Sequence, residues 1–340
     1  MRLIATEEAC SFPEVVKALN AHSKSNTDTS LDMRLVRQVY GDDGIRAGII
    51  DRLCDIEGDR LMQMDASGID MHILSLTSPG VQMLEPNLAA ELATQTNDTL
   101  AEICKRHPTR FAALGSFAPQ EPERAAREIE RCAKLGLNGL IVNSHTNDEY
   151  YDLPKYWPMF EAMEAAGLPL YIHPRSPSKQ LGNAFAQWGM DSAIWGYGVE
   201  TATNALRMII SGLFDRFPKL KIILGHMGEA IPFWLWRIDY MHAATATTFG
   251  GAPKLKLKPS EYFRRNFAIT TSGVEHHPAL RYSVEVLGPE NVMWAIDYPY
   301  QPMVPAVQFM RTAPLPEDVK AMVAGGNAER IFKIAPLAAK

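Results

Sequence analysis

The stretch VMWAIDYPYQ, residues 292–301, runs through apolar side chains to Ile296, meets an aspartate, and turns at Tyr298, Pro299 and Tyr300. A near-continuous apolar run of this kind reads as a strand covered on both faces, as parallel strands are. Ending it in a carboxylate is costly unless something pairs with that carboxylate. The same design recurs along the chain as RLIATEE (2–8), DMHILSLT (70–77), RFAALGSFA (110–118), NGLIVNS (138–144), LPLYIH (168–173), LKIILGH (220–226) and FAITTS (267–272). Helical patterns separate these runs. The clearest are residues 87–107, residues 121–136 and residues 155–167, the last two closing on a glycine stop. Eight β segments alternating with helices predict a (β/α)8 TIM barrel.

Residues 1–340 read as a single domain of this type, with no internal repeat below the βα unit and no low-complexity stretch. Two excursions are long. Residues 9–60 follow strand 1 and contain the polar tract HSKSNTDTS, and residues 174–199 follow strand 5 and are rich in Pro, Gly and Trp. In a barrel the loops at the C-terminal ends of the strands build the active face. The composition is that of a soluble globular protein, 46% hydrophobic and 21% charged, with a net charge of −5. No basic block suggests nucleic acid, and no apolar run is long enough for a membrane span. The four cysteines, Cys10, Cys54, Cys104 and Cys132, form no CxxC pair and fit reduced thiols in a cytoplasmic protein.

The strand ends carry the chemistry. Strand 1 ends in Glu7 and Glu8, strand 5 in His173, strand 6 in His226 and strand 8 in Asp297. In a barrel these ends share one mouth, so carboxylate and imidazole donors converge there, a set suited to a divalent ion such as Mn²⁺ or Zn²⁺. Side chains alternate along a strand, so only one of Glu7 and Glu8 points into the barrel. Ala9 shares the face of Glu7, so a two-metal site built on a His-x-His strand end is not expected. Glu229, three residues after His226, can orient its imidazole. Reading GHMGEAIPFWLWRIDYMH (225–242) as one helix puts Glu229, Phe233 and Arg237 on one face, from which Arg237 would either grip a substrate anion or form a surface pair with a nearby acid. Trp188, Trp195 and Tyr197 crowd the segment after strand 5, as a wall for a flat ligand or as packing. Thr77, Asn143 and His145 fall at the rim of strands 2 and 4.

Taken together, IATEEA, LTSPGVQ, NSHT, YIHP, GHMGEA, WLWRIDYMH and DYPYQ resemble the metal-dependent aromatic-acid decarboxylases of the amidohydrolase superfamily, over nearly the whole chain and with the 5-carboxyvanillate branch nearest. The resemblance implies Glu7, His173 and Asp297 as metal ligands, His226 supported by Glu229 beside them, and Arg237, Tyr300, Thr77 and Tyr197 around the substrate. It assigns no substrate contact to residues 9–60. It implies one divalent ion per chain, Mn²⁺ favoured and Zn²⁺ possible, a small aromatic carboxylate as substrate, and a homodimer or homotetramer. The expected reaction is non-oxidative loss of CO₂ from an ortho-hydroxylated benzoate, with Asp297 protonating the ring carbon. Alternatives are a decarboxylase of 2,3-dihydroxybenzoate or γ-resorcylate, or a hydrolase such as a lactonase on the same barrel.

Overall fold

The computed structural model describes residues 1–41, 47–245 and 253–336. All eight expected strands are present, in the order they occur in the chain: β1 (Ile4–Cys10), β2 (Met71–Leu76), β3 (Phe111–Ser116), β4 (Gly139–Asn143), β5 (Leu170–His173), β6 (Ile222–Leu224), β7 (Phe267–Thr270) and β8 (Val292–Met293). Each pairs in parallel with the next. The ring closes between β1 and the residues that follow β8. Thr6 N donates to Trp294 O at 3.2 Å, Asp297 N to Glu7 O at 3.1 Å, and Ala9 N to Tyr298 O at 2.8 Å. Strand residues are buried almost without exception, as the apolar runs require.

Helices cover the outside. Pro86–Arg106, Pro122–Leu135 and Trp157–Ala166 match the clearest helical patterns. The last two stop at Gly136 and Gly167, both left-handed, which only glycine adopts without strain. The excursion after β1 is not a bare loop. It folds into Pro13–Ser25, Leu31–Tyr40, Ala47–Cys54 and Asp59–Ser67. The segment after β5 holds a short turn of helix at Lys179–Gly182 and then enters the helix Gly196–Ile210.

Candidate metal centre

β1 and β5 bring the first two donors together. Glu7 is 2% exposed, and its Oε1 lies 3.3 Å from His173 Nε2. Two strands hold the other oxygen: Tyr171 OH donates to Glu7 Oε2, and Thr270 Oγ1 donates to it at 3.3 Å. That leaves Oε1 buried with no hydrogen-bond partner. A buried carboxylate oxygen left bare is expensive, and a cation is the partner that resolves it. His173 is set up in the same sense. Its Nδ1 donates to Pro174 O at 2.6 Å, so the lone pair sits on Nε2, facing Glu7. Asp297 completes the group, and one ligand atom from each of Glu7, His173 and Asp297 lies within 4.8 Å of the others. These residues fit a single divalent ion: two carboxylates and an imidazole, with no thiolate.

His226 stands beside them. Its Nε2 is 4.0 Å from Glu7 Oε1 and 3.9 Å from Asp297 Oδ2, while its Nδ1 donates to Glu229 Oε1 at 2.9 Å. Burial alone would lower the proton affinity of His226. The nearby carboxylates of Glu229, Glu7 and Asp297 outweigh that and hold its pKa well above the usual imidazole range. For Asp297, burial is the largest influence and raises the carboxyl's affinity for a proton; the Glu7 charge adds to it, and His226 and His173 oppose it.

The backbone here departs from the single helix read over 225–242. After Gly225 the chain makes a left-handed turn, with φ of +48° at His226, +57° at Met227, +72° at Gly228, +53° at Glu229 and +63° at Ala230. The helix begins only at Ile231 and runs to Thr245. Glu229 therefore does not share a helical face with Phe233 and Arg237, although it does reach His226. Phe233 and Arg237 are both exposed, on the outer side of that helix. The turn also depends on Gly225, where an added Cβ would sit 2.7 Å from Glu7 Oε2 and 3.0 Å from Tyr171 OH.

Thr77 and Tyr300 meet, with Thr77 Oγ1 and Tyr300 OH 2.7 Å apart. Tyr300 N donates to Asp297 O at 2.9 Å, which ties this pair to the aspartate. Tyr197 is half-buried in the first turn of Gly196–Ile210, whereas Trp188 and Trp195 are 77% and 53% exposed. Asn143 and His145 are buried in a hydrogen-bond network with Gln82 and Ser176. Gln82 Nε2 donates to His145 O at 2.9 Å, Asn143 Nδ2 donates to Gln82 Oε1 at 2.9 Å, and His145 Nε2 donates to Ser176 O at 3.0 Å. A polar cavity of about 680 Å³ lies to one side, lined by Asp32, His145 and Arg175 among others; none of Glu7, His173, His226 and Asp297 lines it. Sequence reasoning missed Tyr171, Thr270 and Gly225. Tyr171 carried a signal, since two residues before His173 it lies on the same face of β5.

A parallel barrel with a Glu, His and Asp group at its C-terminal mouth defines a mononuclear metal-centre enzyme class. The amidohydrolase family model matches residues 48–334, and the chain belongs to that family. A 5-carboxyvanillate decarboxylase from Sphingomonas paucimobilis is 71% identical, with a TM-score of 0.96, over 98% of this chain and 99% of that one. A 5-carboxyvanillate decarboxylase from Novosphingobium aromaticivorans, solved with manganese and 4-hydroxy-3-methoxy-5-nitrobenzoic acid, is 40% identical at a TM-score of 0.93, over 98% and 96% of the two chains. Among curated proteins, a γ-resorcylate decarboxylase from a Polaromonas species is 39% identical over 295 residues, 83% of this chain and 89% of that protein.

Proposed function

We propose that the chain, acting over residues 1–340 as one catalytic domain, removes CO₂ without oxidation from an ortho-hydroxylated benzoate, with 5-carboxyvanillate giving vanillate as the best reading. The observation that carries it is the near-complete match to a 5-carboxyvanillate decarboxylase, joined to a donor group with a bare carboxylate oxygen at its centre. γ-Resorcylate is the second reading, favoured by the curated relatives at lower identity. Mn²⁺ is the preferred ion, because related decarboxylases were solved with it; Zn²⁺ suits the same donors.

Glu7, His173 and Asp297 would hold the ion, which supplies Lewis-acid polarisation and a template for adjacent phenolate and carboxylate oxygens. An aryl carbanion is too basic to form freely. Asp297 therefore gives its proton to the ring carbon bearing the carboxylate. The C–C bonding pair then returns to the ring as CO₂ leaves, restoring aromaticity. His226, held by Glu229, steadies the phenolate or returns a proton to Asp297. Tyr300, Thr77 and Tyr197 orient the ring. Arg237 takes a substrate anion; because it points outward, it acts where that face is covered. Phe233, Trp234, Trp236 and Tyr240 on the same helix are each more than half exposed, which suits association into a homodimer or homotetramer. The four free cysteines suit a cytoplasmic location.

The test is an ultraviolet screen of Mn²⁺-loaded protein against ortho-hydroxybenzoates that differ in methoxy and second-carboxylate groups. 5-Carboxyvanillate should give the highest kcat/KM, with vanillate and CO₂ in equal amounts. Faster turnover of γ-resorcylate would move the assignment to the second reading, and acid formation from a lactone without CO₂ would replace both.

A further inference from the structure

We infer that Glu8, the residue beside the inward-facing Glu7, is a positioning residue for Asp297. The inference rests on the metal-centre reading given above. Glu8 is fully buried on the face of β1 opposite Glu7, away from the donor group. Each of its carboxylate oxygens takes one backbone amide: Ile296 N donates to Oε1 at 3.0 Å, and Tyr298 N donates to Oε2 at 3.2 Å. Those are the amides on either side of Asp297. Asp297 itself has φ of +79°, a left-handed conformation that a non-glycine residue keeps only when its surroundings enforce it.

The enforcement comes from one short length of β1. Glu7 O accepts from Asp297 N at 3.1 Å, and Ala9 N donates to Tyr298 O at 2.8 Å. Glu8 between them holds the N–H of the residue before Asp297 and the N–H of the residue after it. Arg60 backs this arrangement from Asp59–Ser67. Fully buried, it donates Nη2 to Ala9 O at 2.6 Å and stacks over the Tyr298 ring at 4.9 Å. A carboxylate suits the task because both oxygens accept. The amide of a glutamine has one acceptor and would set its NH₂ against one of the two N–H groups. So Glu7 and Glu8 divide the work: one offers an oxygen to the centre, and the other fixes the strand end that brings Asp297 to it.

The experiment compares Glu8→Gln, Asp297→Ala and the double variant. It reads Mn²⁺ affinity from the electron paramagnetic resonance signal of the free ion, kcat and KM with 5-carboxyvanillate, and melting temperature. Glu8→Gln should keep a cooperative transition, weaken Mn²⁺ by about tenfold or more and lower kcat by about 100-fold, as misplacing a reacting group does. KM should move much less than kcat. In the Asp297→Ala background, where residue 297 offers neither ligand oxygen nor acid proton, Glu8→Gln should cost little further in affinity or kcat, because both changes act through one residue. Fully additive losses, or a lowered melting temperature with Mn²⁺ affinity and kcat unchanged, would overturn the inference and leave Glu8 a core carboxylate. If the wild type decarboxylates nothing, the functional reading fails, yet the Mn²⁺ measurements and their non-additivity still decide the role of Glu8. Should Glu8→Gln fail to fold, Glu8→Asp keeps both acceptor oxygens on a shorter stem and is judged by the same losses and the same non-additivity.

Discussion

In the proposed reaction Asp297 has two duties: an oxygen for the ion and a proton for the ring carbon. They pull against each other, because a nearby cation lowers a carboxyl's proton affinity while burial raises it. A negatively charged substrate would offset the cation. Asparagine separates the duties, since it keeps size and an oxygen ligand but has no acid proton to give. Asp297→Asn should therefore retain Mn²⁺ and bind a nitrophenol analogue, while kcat falls by about 10³ or more. In the wild type run in D₂O, deuterium should appear at the ring position vacated by CO₂. An Asn variant that holds the ion and turns over near the wild-type rate would shift the acid role to His226. These donors were readable from sequence because a polar residue at the end of a buried apolar run stands out. Tyr171 did not stand out, since an aromatic within a strand reads as core; its hydroxyl nonetheless fixes Glu7.

All eight strands were legible, because strands covered on both faces are mostly apolar and show as apolar runs, even where β1 carries the buried Glu7 and Glu8. The turn after β6 was not. Of the five left-handed residues from His226 to Ala230, only Gly228 announces that conformation by its type, and helix-forming neighbours made a continuous helix the natural reading. The turn costs about 1–2 kcal/mol for each non-glycine residue, and it is what points Nδ1 of His226 at Glu229 and Nε2 toward Glu7 and Asp297. Gly225 joins that turn to β6 with no room for a side chain beside Glu7. Gly225→Ala should therefore displace Glu7 or Tyr171. The expected result is a stability loss of about 1–3 kcal/mol from overpacking and a larger proportional loss of Mn²⁺ affinity, measured by thermal melting and by metal titration on one sample. Full Mn²⁺ affinity in the alanine variant would mean that the mouth relaxes freely and that Glu7 is not held by this close approach.

At the scale of the whole molecule, the proposed function calls for partners at two places: the aromatic outer face of Ile231–Thr245 and the donor group at the mouth. For the first, light scattering should return two or four chains, and Trp236→Glu should shift the population toward monomer; a wild-type monomer would remove both the assembly and the covered setting for Arg237. For the second, the ion should act as part of the fold. Glu7 and Asp297 bring two carboxylates close together from β1 and from the end of the β8 segment, and a divalent ion between them would link the two and offset their repulsion. Purified protein should hold about one divalent ion per chain, the stoichiometry expected of a mononuclear site. Chelation should abolish decarboxylation and lower the melting temperature; Mn²⁺ at 100 times its Kd should restore about 2.7 kcal/mol of stability, a shift of several degrees. His173→Ala removes the imidazole ligand without touching either carboxylate. It should leave a folded protein whose melting temperature no longer responds to the same Mn²⁺ concentration. Two ions per chain by elemental analysis, full activity after chelation, or an undiminished Mn²⁺ response in His173→Ala would each be incompatible with a single ion held by Glu7, His173 and Asp297.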